Sequence, residues 1–427
     1  MTRRRPREGR TAPPKTRNRN DRSFRPFLPL VNGPAGRSAC RHFTRPPAGI
    51  LQTGPIARVG GASGIVCLPA YADRASRLPW SSMTRAAVVR NRRRRRPMTQ
   101  LNLALQGGGA HGAFTWGVLD RLLEEPDIDI RRISGTSAGA LNGAALATGM
   151  AHGGRDGARA NLTRLWQRVA TVGLPFTMLM LPLRKPVWGI WDDAIPLVSP
   201  YMVNPLGMGP LRFVLDEVID IEALRGGDAP ALHVNAVGVN SGRHRVFGPG
   251  EMSIDAILAS ACAPLVFQAV QIGDEAYWDG SYAANPALWP LYEGETDADV
   301  LMVELTPLVR AETPTTAKNI LNRINELAST QGLISEMKDL AAFNARRGRD
   351  IRMHVLSLPD ASSGLETEPS IKRTVGMELF ESLRRKGRAT CESWLGAHRA
   401  SLGVAASVDI EAHYLSALDR NPARSLP

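Results

Sequence analysis

Two glycine-framed turns carry the residue types that an acyl-transfer site requires. Residues 107–112 read GGGAHG, and residues 135–139 read GTSAG with Ser137 at the centre. A serine at a sharp strand-to-helix turn is presented as a nucleophile, and Gly135 and Gly139 keep neighbouring atoms away from its hydroxyl. The second turn therefore predicts a serine acyl hydrolase with Ser137 as the nucleophile.

The first turn supplies a second requirement of acyl transfer, namely backbone N–H groups that hold the charge developing on the substrate oxygen. Gly107, Gly108 and Gly109 present consecutive N–H groups with no side chain to block a carbonyl. We therefore predict these three glycines as the oxyanion hole, with His111 and Gly112 completing the motif.

The base is predicted further along the chain, where Asp279 ends a third apolar stretch and is followed by Gly280. No histidine is placed as an obvious partner for Ser137, so the pattern favours a two-residue site of Ser137 and Asp279. A carboxylate with the ordinary aspartate pKa of ~3.9 is a weak base, so the site must raise that pKa by removing water. We expect the apolar wall to come from nearby aromatic side chains, namely Tyr277, Trp278 and Trp289.

The glycine loop has a second interpretation. Gly107, Gly109 and Gly112 also match G-x-G-x-x-G between a strand and a helix, which is the dinucleotide-binding pattern, and Asp129 has the position of its ribose-binding acid. That pattern alone has a high false-positive rate, and here the second strand leads directly into the serine turn. A dinucleotide-binding enzyme is therefore the less favoured alternative.

An ordinary α/β-hydrolase with a catalytic triad is a further alternative, because Ser137, Asp279 and a late histidine follow that fold's chain order. The candidate histidines are His354, His398 and His413. Such hydrolases build several strands before the nucleophile, whereas few ordered residues precede Ser137 if the N-terminal segment is unstructured. None of the late histidines falls on a loop after a predicted strand, so a triad is disfavoured.

The order of strand and helix patterns around both turns predicts an α/β fold with a parallel sheet covered by helices. Each turn follows a short apolar strand pattern and opens a helix. The predicted strands are 101–106, 128–134, 233–240, 275–278, 300–305 and 353–357. The predicted helices are 113–124, 138–147, 316–344 and 370–402.

Positive charge is concentrated near the N-terminus. Residues 1–97 contain 23 Lys and Arg against 3 Asp and Glu, whereas the whole chain contains 53 and 40, so the remainder is mildly acidic. This Arg- and Pro-rich composition, with five consecutive arginines at 92–96, predicts a disordered leader. We interpret it either as sequence upstream of a true start at Met98, which we favour, or as an arm for nucleic acid, anionic lipid or targeting.

Residues 98–410 are then predicted as one hydrolase domain and residues 411–427 as a C-terminal tail. No CxxC pair or metal-ligand spacing occurs, which favours a reducing, cytoplasmic compartment. The nearest approach to a transmembrane segment, 169–183, is interrupted by Pro175 and Pro182 and cannot span a membrane. The acidic body gives no reason to expect nucleic-acid binding there.

Taken together, these motifs resemble the patatin-like phospholipase family, and the resemblance extends over residues 101–410. It is carried in chain order by 107–112, 135–139, 259–264 (ASACAP), 279–281 and 323–326 (RINE). The resemblance implies a patatin-type three-layer α/β/α sandwich with a mostly parallel central sheet. It also implies that Ser137 is the nucleophile, Asp279 its base and the loop 107–109 the oxyanion hole.

Two positions depart from the family pattern. His111 stands where many relatives carry Lys or Arg, so a fixed positive charge in the loop becomes dependent on pH. Ser281 stands where Gly or Ala is usual, and its hydroxyl either bonds Asp279 or lies at the surface. We favour the surface position, because serine is a common turn residue.

The expected activity is hydrolysis of fatty acyl esters of phospholipids or lysophospholipids through an acyl-enzyme, without a metal or organic cofactor. The Trp- and Met-rich stretch 166–191 is interpreted either as a lid or acyl groove that meets the membrane or as a buried helical layer. The expected partner is thus a lipid or fatty acyl ester, with peripheral membrane contact. The alternative function is a catalytically silent lipid-binding protein of the same fold.

Overall fold

The computed structural model describes residues 98–184, 199–310, 313–346, 348–359, 372 and 374–416. The predicted leader, 1–97, lies outside the described residues, and so do residues 417–427 of the predicted tail. The side chains of residues 174–184 are also outside the description, so the predicted lid segment is described only in its first part.

Eight strands form one sheet in the described part of the chain. They are β1 (Thr99–Leu105), β2 (Ile128–Gly135), β3 (Ala231–Gly238), β4 (His244–Phe247), β5 (Val270–Ile272), β6 (Glu275–Asp279), β7 (Asp297–Glu304) and β8 (Asp350–Ser357). Their order is β5-β6-β3-β2-β1-β7-β8, with β4 paired to β3. Strands β3, β2, β1, β7 and β8 are consecutive in the sheet and pair in parallel, whereas β4, β5 and β6 pair antiparallel. The predicted, mostly parallel sheet is confirmed.

Helices connect and cover these strands. Those of the described residues are α1 (Gly112–Leu122), α2 (Ala138–Arg184), α3 (Pro200–Val203), α4 (Gly209–Val218), α5 (Ile221–Arg225), α6 (Ile254–Ser260), α7 (Trp289–Tyr292), α8 (Ala317–Asn344) and α9 (Met377–His398). Helix α2 consists of two segments joined at Gly153 and Gly154, whose backbone angles are not helical. None of the helices described is long and apolar enough to cross a membrane.

The central strands divide their side chains between two cores, because successive residues of a strand point to opposite faces of the sheet. In β1, Leu103 and Leu105 enter a core shared with α1, α2 and α9, whereas Ala104 enters a core shared with α7 and α8. In β7, Leu301 and Met302 divide in the same way. Helices therefore cover both faces of the sheet, and the predicted α/β/α layering is confirmed.

Most of the predicted elements are present with their ends shifted by a few residues. The helix predicted to end at residue 147 is wrong in length, because α2 continues through a polar segment to Gly153 before its chain direction changes. Strands β4 and β5 have no counterpart in the sequence prediction, since runs of four and three residues are too short to show a period. Helix α9 begins at Met377, inside the predicted range 370–402.

Helices α1 and α9 approach each other closely at two glycines. A side chain on Gly117 would overlap the carbonyl oxygen of Arg384, and one on Gly387 would overlap that of Phe114. Next to this contact, the buried carboxylate of Asp120 pairs with two arginines of α9 and one of α2. Helix α1 directly follows the glycine loop, so this packing holds the loop in position.

We expect Gly387→Ala to destabilise the protein by about 1–2 kcal/mol. Overpacking against backbone costs roughly 1–3 kcal/mol, which exceeds the helix-propensity gain of about 1 kcal/mol. Gly396→Ala is the matched control on the same helix, because an added Cβ there meets no atom within 4 Å. Urea denaturation of both variants checks the prediction, and equal stability of the two would contradict it.

Candidate active site

The predicted nucleophile occupies a strained turn between β2 and α2. Ser137 has a φ of +54°, a left-handed conformation that a non-glycine residue adopts only when its surroundings require it. Its backbone N–H donates to Ser260 Oγ at 2.9 Å, which fixes the turn against α6. This is the geometry expected of a nucleophile elbow.

The glycines that frame the elbow lie where the backbone is crowded. A Cβ on Gly135 would lie 2.7 Å from the backbone of Gly139, and a Cβ on Gly112 would lie 2.6 Å from Ala138 Cβ. Gly112 thus allows the first turn of α1 to pack directly on the elbow. The two glycine-framed turns, which are distant in sequence, are in contact.

Strand β6 carries Asp279 to the elbow. Gly135, the last residue of β2, pairs with Val234 of β3, and Asp279 pairs with Ala236, two residues further along β3. The Ser137 side chain lies close enough to the Asp279 carboxylate to lower its pKa, and both residues line one cavity. The structure thus brings together the two residues that the sequence pattern predicts as a dyad.

The Asp279 carboxylate is almost fully buried, with 5% of its surface exposed. Burial raises the pKa of this carboxyl above its ordinary value, although the hydrogen bond from the Ser281 N–H (2.9 Å) and the nearby Ser137 and Ser281 side chains act in the opposite direction. Ser281, whose hydroxyl was predicted at the surface, is half-buried and lines the cavity next to this carboxylate. The turn after Asp279 folds back on the carboxylate through the Ser281 N–H.

Asn235 connects the elbow with the Asp279 turn. Its side-chain Oδ1 accepts from the Thr136 hydroxyl at 2.5 Å, and its Nδ2 donates to the carbonyl oxygens of Gly280 (3.2 Å) and Ala284 (2.9 Å). Sequence reasoning missed this residue. The available signal was a buried asparagine in the middle of an apolar strand, which must find hydrogen-bond partners inside the protein.

The glycine loop is tied down by a second asparagine. The Gly107 N–H donates to Asn285 Oδ1 at 2.6 Å, and Asn285 Nδ2 donates to Ser329 Oγ at 2.7 Å. The prediction of three free donors is therefore corrected, because the Gly107 N–H already has an acceptor. Within the described residues, no acceptor is found for the N–H of Gly108 or Gly109.

The other loop positions are close-packed. Gly109 has a φ of +58°, and a side chain there would overlap the carbonyl oxygen of Lys372. His111 closes the 3-10 turn Gly109–His111 and is 1% exposed. The residue in the usual cationic position is thus enclosed by protein.

A cavity of about 420 Å³ opens above these residues. Ser137, Asp279 and the glycines 107–109 contribute to its lining. Its surface is mainly apolar, with contributions from Leu141, Leu165, Trp166, Val169, Leu211, Val214, Phe267 and Phe380. The remainder is polar and includes Asn322, Asn325, Glu326, Ser329 and Lys372.

The aromatic side chains predicted as an apolar wall do not line the cavity. Tyr277 packs on Phe247 in a separate small core, and Trp289 is 39% exposed. Tyr277, Trp278 and Trp289 are all absent from the cavity lining. Within the predicted substrate-contact stretch, Trp166 does line it, and its indole N–H donates to Asn142 Oδ1 at 3.0 Å. Residues 174–191 of that stretch lie outside the described side chains.

The dinucleotide alternative does not fit the fold. Asp129 pairs with Gln100 near the start of β1, whereas the glycine loop follows Leu105 at the other end of that strand. At about 3.3 Å per residue, the separation is on the order of 15 Å or more along the strand. Asp129 therefore cannot bind a ribose whose phosphates lie on this loop.

The triad alternative also lacks its histidine. His354 lies on β8 and not on a predicted helix, is fully buried, and is hydrogen-bonded to Asp299 Oδ1 (2.9 Å) and Ser407 Oγ (3.1 Å). None of His354, His398 and His413 lines the cavity. Among the described residues, no cluster of three or more His, Cys, Asp or Glu side chains could hold a metal ion.

The part of the chain that contains these residues is similar to a known protein family. A family model described as Patatin-like phospholipase matches residues 103–204 and 232–292, which include both glycine turns and Asp279. The resemblance that the motifs indicate is thereby confirmed over these residues. A search of curated protein sequences gave no match.

Solved structures were compared as well. VipD from Legionella pneumophila matches with a TM-score of 0.34 and 14% sequence identity, covering 75% of this chain and 73% of that one. ExoU in the heterodimeric ExoU-SpcU complex of the Pseudomonas aeruginosa type III secretion system matches with a TM-score of 0.30 and 17% identity. That match covers 77% of this chain and 60% of the ExoU chain.

The raised pKa of Asp279 predicts how the stability of an Asp279→Asn variant depends on pH. Above the raised pKa the folded protein must hold a buried charge, whereas below the ordinary aspartate pKa of ~3.9 both states are protonated. We therefore expect Asp279→Asn to raise the melting temperature at pH 7–8 by roughly 2–4 °C, which corresponds to about 1 kcal/mol. This gain should disappear as the pH falls below ~4.

Calorimetric or fluorescence-monitored melting of both proteins between pH 4 and 8 measures this difference. Asp274→Asn, in the exposed turn before β6, is the control for simple loss of one negative charge. A lower melting temperature for Asp279→Asn at neutral pH would show that the ionised carboxylate is favoured in its site, contrary to the argument.

Proposed function

We propose that this protein is a lipid acyl hydrolase that uses Ser137 and Asp279 as a dyad. The observation that carries the proposal is the position of the Ser137 side chain beside the buried Asp279 carboxylate, in a cavity that the glycine loop also lines. The match to the patatin-like phospholipase model includes all three of these elements.

In the first step, Ser137 Oγ forms a bond to the ester carbonyl carbon while its proton passes to Asp279. The resulting oxyanion lies against the N–H groups of Gly108 and Gly109, which have no protein acceptor in the described residues. The bond between the carbonyl carbon and the alcohol oxygen then breaks. The alcohol leaves with the proton that Asp279 held, and an acyl-serine remains.

In the second step, a water molecule attacks the acyl-serine and gives a proton to Asp279. The oxyanion forms again at Gly108 and Gly109 and then expels Ser137 Oγ, which recovers the proton from Asp279. The fatty acid leaves, and the dyad returns to its starting state. No metal or organic cofactor takes part in either step.

The environment of Asp279 suits this role. A base works best when its pKa lies close to the working pH, and burial moves the pKa of this carboxyl upward from its ordinary value. The Ser281 N–H holds one carboxylate oxygen in place at 2.9 Å. Gly107, in turn, has a structural role, because its N–H and Asn285 fix the loop that presents the next two donors.

The cavity lining supports a fatty acyl group as the part of the substrate that is bound. Its apolar side chains come mainly from α2 and α4 and from residues 263–267. An acyl chain in such a cavity removes apolar surface from water, which stabilises binding by about 25 cal/mol per Å². Phospholipids and lysophospholipids supply such chains next to an ester.

Peripheral membrane contact is part of the proposal. Tyr201, Met202, Leu206 and Phe213 on and between α3 and α4 are all more than half exposed. They flank residues 207–211, of which three line the cavity. Exposed apolar side chains at a cavity entrance favour insertion into a lipid surface. A cytoplasmic location agrees with Cys262 and Cys391, which are buried free thiols.

We expect Ser137→Ala and Asp279→Ala each to lower ester hydrolysis at least about 1,000-fold with the fold intact. Circular dichroism and release of p-nitrophenol from a fatty acyl ester measure the two properties. Wild-type protein should also form a covalent adduct with a fluorophosphonate, and Ser137→Ala should not. Ser335→Ala, on the exposed face of α8, is the matched control.

The outcomes separate the alternatives. A folded wild-type protein that binds fatty acyl lipid but forms no adduct would be a silent lipid-binding protein. Full activity in Asp279→Ala would show that another group accepts the proton, and the dyad would be abandoned.

For membrane contact, we expect a Met202→Ser/Leu206→Ser double variant to bind phosphatidylcholine vesicles at least about 10-fold more weakly, because each apolar side chain that is buried contributes roughly 1.5–3 kcal/mol. Vesicle sedimentation measures the partition coefficient. Val404→Ser, which is 74% exposed and does not line the cavity, is the control. Unchanged vesicle binding by the double variant would exclude this surface.

A further inference from the structure

Three cationic side chains converge on one carboxylate beside the cavity. Glu326 of α8 accepts a bidentate pair from Arg310, at 2.7 Å from both Nε and Nη2. Arg323 Nη1 lies 3.4 Å away and Lys372 Nζ lies 3.5 Å away. Within the described residues, Glu326 is the only carboxylate that pairs with these cations, so the three share one negative charge there.

The arrangement leaves Lys372 poorly compensated. Arg310 already occupies both oxygens of Glu326 in the strongest geometry available to a carboxylate, and Lys372 has the longest of the ion-pair contacts. Burial lowers the pKa of the Lys372 ammonium, and neighbouring Arg310 lowers it further, although Glu326 opposes both. A further anion beside Lys372 would therefore be stabilised.

The position of Lys372 connects this charge with the dyad. Lys372 and Glu326 line the same cavity as Ser137 and Asp279. The Lys372 carbonyl lies so close to Gly109 that a side chain there would overlap it. An anion held at Lys372 would thus lie next to the loop proposed to hold the oxyanion.

We propose that Lys372, supported by Arg310 and Arg323, binds the phosphate of a phospholipid whose acyl ester is cleaved at Ser137. This inference rests on the proposed lipid hydrolase function. It adds that the enzyme selects phospholipids over neutral acylglycerols. The glycine loop has no fixed cation, because position 111 is a buried histidine. Here the cation comes from a separate segment of the chain that packs on the same loop.

The test compares two substrates with identical acyl chains, dioleoylphosphatidylcholine and dioleoylglycerol, in neutral detergent micelles with the full-length chain. In Lys372→Met, the ratio of kcat/KM for the phospholipid to that for the diacylglycerol should fall at least 10-fold. Lys372→Arg should restore most of the ratio, because it restores the charge. Lys338→Met, on the exposed face of the same α8 helix that carries Glu326, should leave the ratio unchanged.

An equal loss on both substrates would overturn the proposal, since Lys372 would then only support the loop, and so would an unchanged ratio. Inorganic phosphate provides a further arm. If it inhibits diacylglycerol hydrolysis in a Lys372-dependent way while the substrate ratio is unchanged, the site binds free phosphate and not a lipid headgroup.

A binding measurement separates this inference from the proposed function. Dihexanoylphosphatidylcholine, a soluble phospholipid, is titrated into Ser137→Ala with and without Lys372→Met. The second change should weaken binding at least 5-fold, and unchanged binding would overturn the headgroup site. If wild-type protein hydrolyses neither substrate but this binding difference is present, the hydrolase function fails and the phosphate site remains.

Discussion

The candidate site depends on keeping one carboxylate buried beside a serine hydroxyl. A charge removed from water is unfavourable unless polar groups replace the lost solvation, and Asp279 has a hydrogen bond from the Ser281 N–H and two serine side chains beside it. Those donors are enough to retain the carboxylate in the site but not enough to cancel the effect of burial on its pKa. The same balance makes Asp279 a better proton acceptor than an exposed aspartate.

Two asparagines connect the parts of this site by hydrogen bonds. Asn235 connects the elbow with the turn after Asp279, and Asn285 connects that turn with the glycine loop. Each lies within the protein and uses both the oxygen and the nitrogen of its amide, so neither can be replaced by an apolar residue without leaving a buried polar group unpaired. Three segments that are distant in sequence thereby become one rigid unit.

The sequence was sufficient to predict what depends on local pattern. Both turns and the parallel strands before them follow from residue type, spacing and family resemblance, and so does the presence of Ser137 and Asp279 in one cavity. It could not predict features that arise only when distant segments meet. The Asn285 acceptor that occupies Gly107, the core position of Tyr277 and the contact of Lys372 with Gly109 are of this kind. The short strands were missed because their patterns are too brief, and the continuation of α2 was missed because its pattern is too polar.

The cavity has an apolar part and a polar part, and the fold determines where each part lies. Its apolar lining comes largely from α2 and α4, which belong to one core of the sheet, whereas much of its polar lining comes from α8, which belongs to the other. Ser137 stands where the two meet, at the end of a strand that both helix layers cover. A molecule with an apolar chain on one side of an ester and an anionic group on the other matches this division in a single orientation. Under the proposed function, the layering that builds the two cores therefore also determines which end of a phospholipid each part of the cavity would receive.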